Sequence, residues 1–103
     1  MYQISVYVPE NGLTAVKDAM FKAGAGKFNR YENCAWQTLG TGQFKPVAGA
    51  HPTIGEIGQL ETLAEYKVEM LCHDECLQRV VTAMKQSHPY EEVAYSILKI
   101  KHI

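Results

Sequence analysis

Arginine is nearly missing from this chain: only Arg30 and Arg79 occur in 103 residues, and the formal net charge is -1. No basic stripe exists to collect phosphates, so nucleic acid is not an expected partner. No apolar run approaches the roughly 20 residues needed to span a bilayer. Met1-Tyr2-Gln3-Ile4 lacks the basic start and long apolar stretch of a signal peptide. Together these predict a cytoplasmic protein with no membrane partner. Cysteine is scarce as well. Three thiols, an odd number, in a chain long enough to hold a core without staples fit reduced intracellular cysteine better than a disulfide framework. There is no low-complexity tract, charge block or linker, and 47% hydrophobic with 20% charged residues predicts one soluble domain over residues 1–103.

Periodicity supplies the elements. Tyr2, Ile4, Val6 and Val8 alternate with Gln3, Ser5 and Tyr7, the period of a half-buried strand. Pro9 to Gly12 breaks that run, and Leu13, Val16, Ala19, Met20 and Ala23 recur at helical spacing until Gly24 and Gly26. A turn over 28–33 leads to a second strand from Cys34, with Gly40 and Gly42 read as a bulge or bend before Pro46. The stretch from Val47 to Gly58 is too glycine-rich for helix and too broken for strand, and long loops of this kind are usually functional. From Leu60 to Cys72 alternation returns, with Glu61, Leu63, Glu65, Lys67, Glu69 and Leu71 on one face. Asp74 is the expected N-cap of a second helix carrying Leu77, Val80, Val81 and Met84, which ends near Ser87 because His88 precedes a proline. A last strand runs from Val93 to Ile100.

The order βαββαβ predicts an α+β, ferredoxin-like sandwich: a four-stranded antiparallel sheet with both helices on one face. That topology brings three connections to one end: Pro9 to Gly12, the loop holding His51, and the corner His88-Pro89-Tyr90-Glu91-Glu92. Cys34, Cys72 and Cys76 share the other end.

Four segments carry a resemblance. Gly40 to Pro46, Gly49 to Gly55, Glu65-Tyr66-Lys67-Val68-Glu69 and His88 to Tyr95 together resemble the inserted domain of the YqfO, or Nif-three-like, family. The resemblance covers essentially the whole chain. It implies a fold like that of the trimeric PII and CutA proteins, which is the sandwich reached from periodicity. Full-length members of that family carry a larger core that holds a pair of metal ions and gives rise to hydrolase-like and cyclohydrolase-like names. Nothing in this sequence resembles that core, so neither its metal ligands nor an activity carries over.

The candidate ligand or interface residues are His51, Glu56, Glu65, His88, Tyr90 and Glu91. Within this group His51, His88, Glu91 and Glu92 are types that could hold a divalent metal, provided three or four donors converge within about 2.0 to 2.2 Å of one point. The alternative is that each His-Pro pair is backbone punctuation with its imidazole bonded to a carbonyl. Cys72-His73-Asp74-Glu75-Cys76 places thiols four apart at a helix start, without the tighter pair usual for zinc. Gly40-Thr41-Gly42 is followed by neither a helix nor a lysine in phosphate-loop position. No cofactor motif and no nucleophile are present. The expected function is therefore a small, non-catalytic, PII-like binding module in which the 47–58 loop and the 88–92 corner receive a small molecule or a protein partner. A CutA-like metal-binding protein is the alternative. The mixed charged and apolar sheet face predicts a homo-oligomer, with a trimer favoured.

Overall fold

Ile4, Val6 and Val8 have no solvent exposure, which puts β1 (Tyr2–Val8) in the middle of the molecule. The computed structural model describes residues 1–101. After β1 come α1 (Glu10–Ala23), β2 (Trp36–Phe44), β3 (Glu61–Cys72), a 3-10 turn (Asp74–Cys76), α2 (Leu77–Ser87) and β4 (Tyr95–Lys99). The four strands form one antiparallel sheet in the order β2-β3-β1-β4. This is the expected α+β, ferredoxin-like βαββαβ sandwich.

The core lies between the sheet and the two helices. Val68, Met70 and Cys72 of β3 face it beside Ile4, Val6 and Val8, and Val16 and Met20 of α1 meet Val80 and Met84 of α2 across it. Most of these are aliphatic or sulfur side chains, each removed from water at a gain of about 1.5–3 kcal/mol for the larger ones. Gly24 ends α1 at φ 120°, and its N–H returns to the carbonyls of Met20 and Phe21. A Cβ there would stand 2.9 Å from the Cys76 sulfur, so both backbone angle and space call for glycine.

Several expected boundaries move. Helix α1 starts at Glu10 rather than Leu13: Pro9 takes the N-cap position, and Gly12 donates its N–H to the Pro9 carbonyl at 3.0 Å. Pro9 to Gly12 is thus the first helical turn, consistent with the tolerance of proline at a helix start. Asp74 makes no side-chain cap bond; His73 precedes the 3-10 turn, and the Asp74 carboxylate faces the Met1 amine instead. The expected bulge at Gly40 and Gly42 does not form. β2 pairs with β3 without a skipped residue from Trp36↔Glu69 to Phe44↔Glu61.

That unbroken ladder has a consequence for shape. β1 covers β3 only from Tyr66 to Cys72, so the portion from Glu61 to Glu65 is paired with β2 alone. The outer half of the β2–β3 hairpin therefore projects past the end of β1, and the loop it carries folds back onto the rest of the molecule.

Candidate functional site

The fold-back has identifiable supports. Within the loop, Ala50 N–H donates to the Val47 carbonyl at 3.1 Å, Gly58 N–H to Pro46 at 2.7 Å and Gln59 N–H to Glu56 at 3.1 Å. Gly49, Gly55 and Gly58 occupy positive φ, which allows the repeated reversals. Two further bonds tie the loop to the 88–92 corner: the His51 backbone N–H donates to Glu91 Oε1 at 2.9 Å, and Thr53 Oγ1 donates to the Pro89 carbonyl at 3.1 Å. The juxtaposition expected from topology is therefore present, and each of its two bonds pairs a backbone group with a side chain, neither of them an imidazole.

The corner is anchored from beneath. His88 is buried, its Nε2 lies 2.8 Å from the Tyr7 carbonyl, and its Nδ1 accepts the Tyr90 N–H at 3.1 Å. This pairing requires the neutral Nε2–H tautomer. Burial pushes the His88 pKa below its ordinary value, partly opposed by the bond to Tyr7. Pro89 packs over Gly12, where a Cβ would stand 2.9 Å from the proline Cδ. Helix α1 and the corner thus come together at a glycine.

Between the docked loop and the corner lies a cavity of about 310 Å³. Tyr7, Phe44, Pro46, Ile54 and Tyr90 contribute apolar surface, and Lys45, Glu65, Glu91 and Glu92 contribute charge. Glu65 is half-buried on β3, and its carboxylate rests over Gly42: a Cβ on that glycine would stand 2.0 Å from Glu65 Oε1. Gly42 is thus explained by the carboxylate rather than by a bulge. Burial raises the Glu65 pKa above the usual carboxylate value. The Tyr90 hydroxyl is buried without a hydrogen-bond partner, and burial and then the neighbouring Glu65 charge raise its pKa.

The residues singled out from the sequence divide accordingly. Glu65, Tyr90, Glu91 and Glu92 line the cavity, and His51 braces it through its backbone. Glu56 is exposed and lines no part of it. His88 cannot serve as a metal ligand in this arrangement, because both ring nitrogens are already bonded to backbone groups. Among the described residues no three His, Cys, Asp or Glu side chains converge as a metal site, so the set His51, His88, Glu91 and Glu92 is not assembled within one chain. Tyr7, Gly42 and Phe44 were not singled out as site residues from the sequence. The signals for them were the position of Tyr7 near the end of its strand and the place of Gly42 and Phe44 in the Gly40 to Pro46 segment that leads into the long loop.

At the opposite end Gly24 and Gly26 lie among the three free cysteines: Gly24 is against the Cys76 sulfur and Gly26 against the Cys34 carbonyl. Arg79 Nη2 donates to Cys76 Sγ at 3.3 Å, while Cys72 is buried and its pKa is pushed up to about 11, first by burial and then by Cys76. Among the described residues no helix is long and apolar enough to cross a membrane.

The architecture is that of the CutA proteins. CutA1 from Pyrococcus horikoshii superposes with a TM-score of 0.72 over 100% of this chain and 86% of that one, at 13% identity, so the likeness is one of fold. A nearer likeness is to a Bacillus cereus protein related to NIF3: TM-score 0.86 and 34% identity, covering 98% of this chain and 26% of that protein. By sequence, the chain is 43% identical over 95 residues to a GTP cyclohydrolase 1 type 2 homolog of Mycobacterium leprae, 92% of this chain and 25% of the relative. The chain thus spans about a quarter of the length of the curated relatives it matches. No family model matches the sequence.

Proposed function

We propose that this chain is a small, oligomeric, non-catalytic binding module, the counterpart of the inserted PII- and CutA-like domain of the YqfO family. Its ligand seat is the cavity between the folded-back loop and the 88–92 corner. The carrying observation is that cavity, closed by the His51–Glu91 and Thr53–Pro89 bonds and lined in part by Tyr90, whose buried hydroxyl has no partner of its own. Well-formed apolar pockets with a few convergent polar groups are the usual form of small-ligand sites.

A binding role is favoured over catalysis by the state of the titratable groups. The His88 nitrogens are committed to the backbone, which leaves no free imidazole in the corner to act as base. The relatives named as GTP cyclohydrolase homologs are proteins of which this chain spans about a quarter, so that name brings no activity to this chain.

The oligomer is supported by the sheet face opposite the helices. Trp36 is 69% and Leu98 56% exposed on it, beside the half-buried Leu63 and Leu71 and the Lys67–Glu69 ion pair at 2.9 Å. Apolar side chains of this size on an open sheet are typically covered by a second copy. Light scattering is expected to return a multiple of the 11.5 kDa chain mass. Trp36→Glu with Leu98→Glu is expected to return a monomer, and a monomeric wild type would refute assembly.

Binding is tested separately by amide NMR of the labelled chain against a fragment set containing cations, neutral molecules and anions. Saturable shifts gathered at residues 43–54, 65 and 90–94 are expected. Shifts scattered over the surface, or none, would refute the cavity as a ligand seat.

A further inference from the structure

We propose that the cavity is selective for a small organic cation, an ammonium or amidinium on an apolar body, with Glu65 as its counter-ion and the Tyr90 hydroxyl as its second polar contact. This rests on the cavity being a ligand seat and adds the class of ligand.

The charge inventory favours a cation. Three carboxylates and one ammonium line the cavity. Lys45, Glu91 and Glu92 are exposed and so belong to its rim, and Glu91 already accepts the His51 N–H. Glu65 is the half-buried ionisable group of the lining besides the tyrosines. Among the described residues it has no ion pair, because the one on this sheet face joins Lys67 to Glu69. A carboxylate withdrawn from water without a cation is an unmet electrostatic demand. Its seat over Gly42 holds it on one side, since a side chain there would occupy the carboxylate's place.

The Tyr90 hydroxyl makes a complementary demand. It is buried and unpartnered, and Tyr90 lines the same cavity as Glu65. An ammonium or amidinium can donate to both oxygens at once, using one N–H for the carboxylate and another for the hydroxyl. A neutral alcohol has a single proton to donate and brings no charge. An anion would repel Glu65.

The remaining lining suits the rest of such a molecule. Tyr7, Phe44 and Tyr90 present aromatic rings, and a cation near an aromatic face gains from the ring quadrupole. The volume of about 310 Å³ lies at the small end of ligand pockets, which span about 300–1,000 Å³. It suits a compact molecule rather than an extended chain.

The test titrates the labelled full chain with 2-phenylethylammonium and with two counterparts of similar size, 3-phenylpropan-1-ol and 3-phenylpropionate, following the amides of Gly42, Glu65 and Tyr90. The ammonium is expected to bind at least about tenfold more tightly than either counterpart, as one charge-assisted hydrogen bond warrants. Glu65→Gln is expected to abolish that preference. Gly42→Ala, which keeps the charge and moves the carboxylate, is expected to weaken the ammonium severalfold. If the alcohol or the acid binds in the cavity as well as the ammonium, cation selectivity is wrong while the ligand seat stands. If none of the three shifts those amides, the selectivity is refuted. The ligand seat falls with it only when the broader fragment set also leaves the cavity silent.

Discussion

His88 Nε2 lies 2.8 Å from the carbonyl oxygen of Tyr7, and this contact joins the last loop of the chain to the central strand. The ring's other nitrogen accepts from Tyr90, so one buried imidazole satisfies an acceptor on β1 and a donor in the corner. Removing it leaves both groups unpaired, at about 1–3 kcal/mol each. His88→Ala is expected to lower stability by at least about 2 kcal/mol, read as a drop in the urea midpoint with an unchanged slope. An unchanged midpoint would mean that the corner is held by other contacts.

The same histidine sets an acid response. Its folded pKa lies below the ordinary value of 6.5, chiefly through burial, so the unfolded chain binds the proton more readily. The His88 contribution is therefore present above pH 6.5 and is lost as pH falls through 6.5 toward the folded pKa. Unfolding midpoints of wild type and His88→Gln, followed from pH 7.5 to 5, are expected to converge on acidification. Parallel curves would contradict the linkage.

Two glycines of β2 respond differently to alanine. A Cβ at Gly40 meets nothing within 4 Å, and neither Gly40 nor Gly42 has a positive φ. Gly40→Ala is expected to be neutral or to stabilise by up to about 1 kcal/mol, because alanine loses less backbone entropy on folding. Gly42→Ala collides with the Glu65 carboxylate, the far end of a flexible side chain, so the strand survives and the carboxylate moves. Thermal melts are expected to stay close to wild type for both variants, with the Glu65 side-chain resonance displaced only in the second.

Gly24 contrasts with both. At φ 120°, with the Cys76 sulfur 2.9 Å from any added Cβ, Gly24→Ala combines backbone strain with a clash. A loss of about 1–3 kcal/mol is expected from the strain alone. A denaturant titration showing no loss would refute that account of the helix end.

Thiol chemistry should separate the cysteines. Cys72 is buried with its pKa at about 11, whereas Cys34 is half-exposed. Iodoacetamide at pH 8 on the native protein, analysed by peptide mass, is expected to modify Cys34 well before Cys72, since the thiolate is the reacting form. Equal rates would show that the lower end opens readily.

Much of the fold was legible because hydrophobic period and burial report the same fact. Ile4, Val6, Val8, Val68 and Met70 alternate in the sequence, and they are what the helices cover. Where local signals competed, the reading failed. Gly40 and Gly42 look like a bulge to anyone counting glycines, yet the second exists to admit a carboxylate from the neighbouring strand. Asp74 has the right chemistry for a cap but faces the Met1 amine. The candidate site was legible as a pair of segments that do meet, and of the two readings open for His88 it is the imidazole bonded to a carbonyl that holds, while the candidates Glu65 and Tyr90 carry the unmet polar demands.

What the amino-acid order determined by itself is the sandwich and the end of it at which the loop and corner gather, because strand and helix periods are local and βαββαβ leaves few ways to bury both helices on one sheet. What only the tertiary structure decided is which polar groups were already spoken for. A histidine, a glutamate and a tyrosine look equally available in one dimension. The Tyr7 carbonyl, 81 residues away, made the histidine a brace, while Gly42 gave the glutamate its seat and the glutamate and the tyrosine were left lining a cavity.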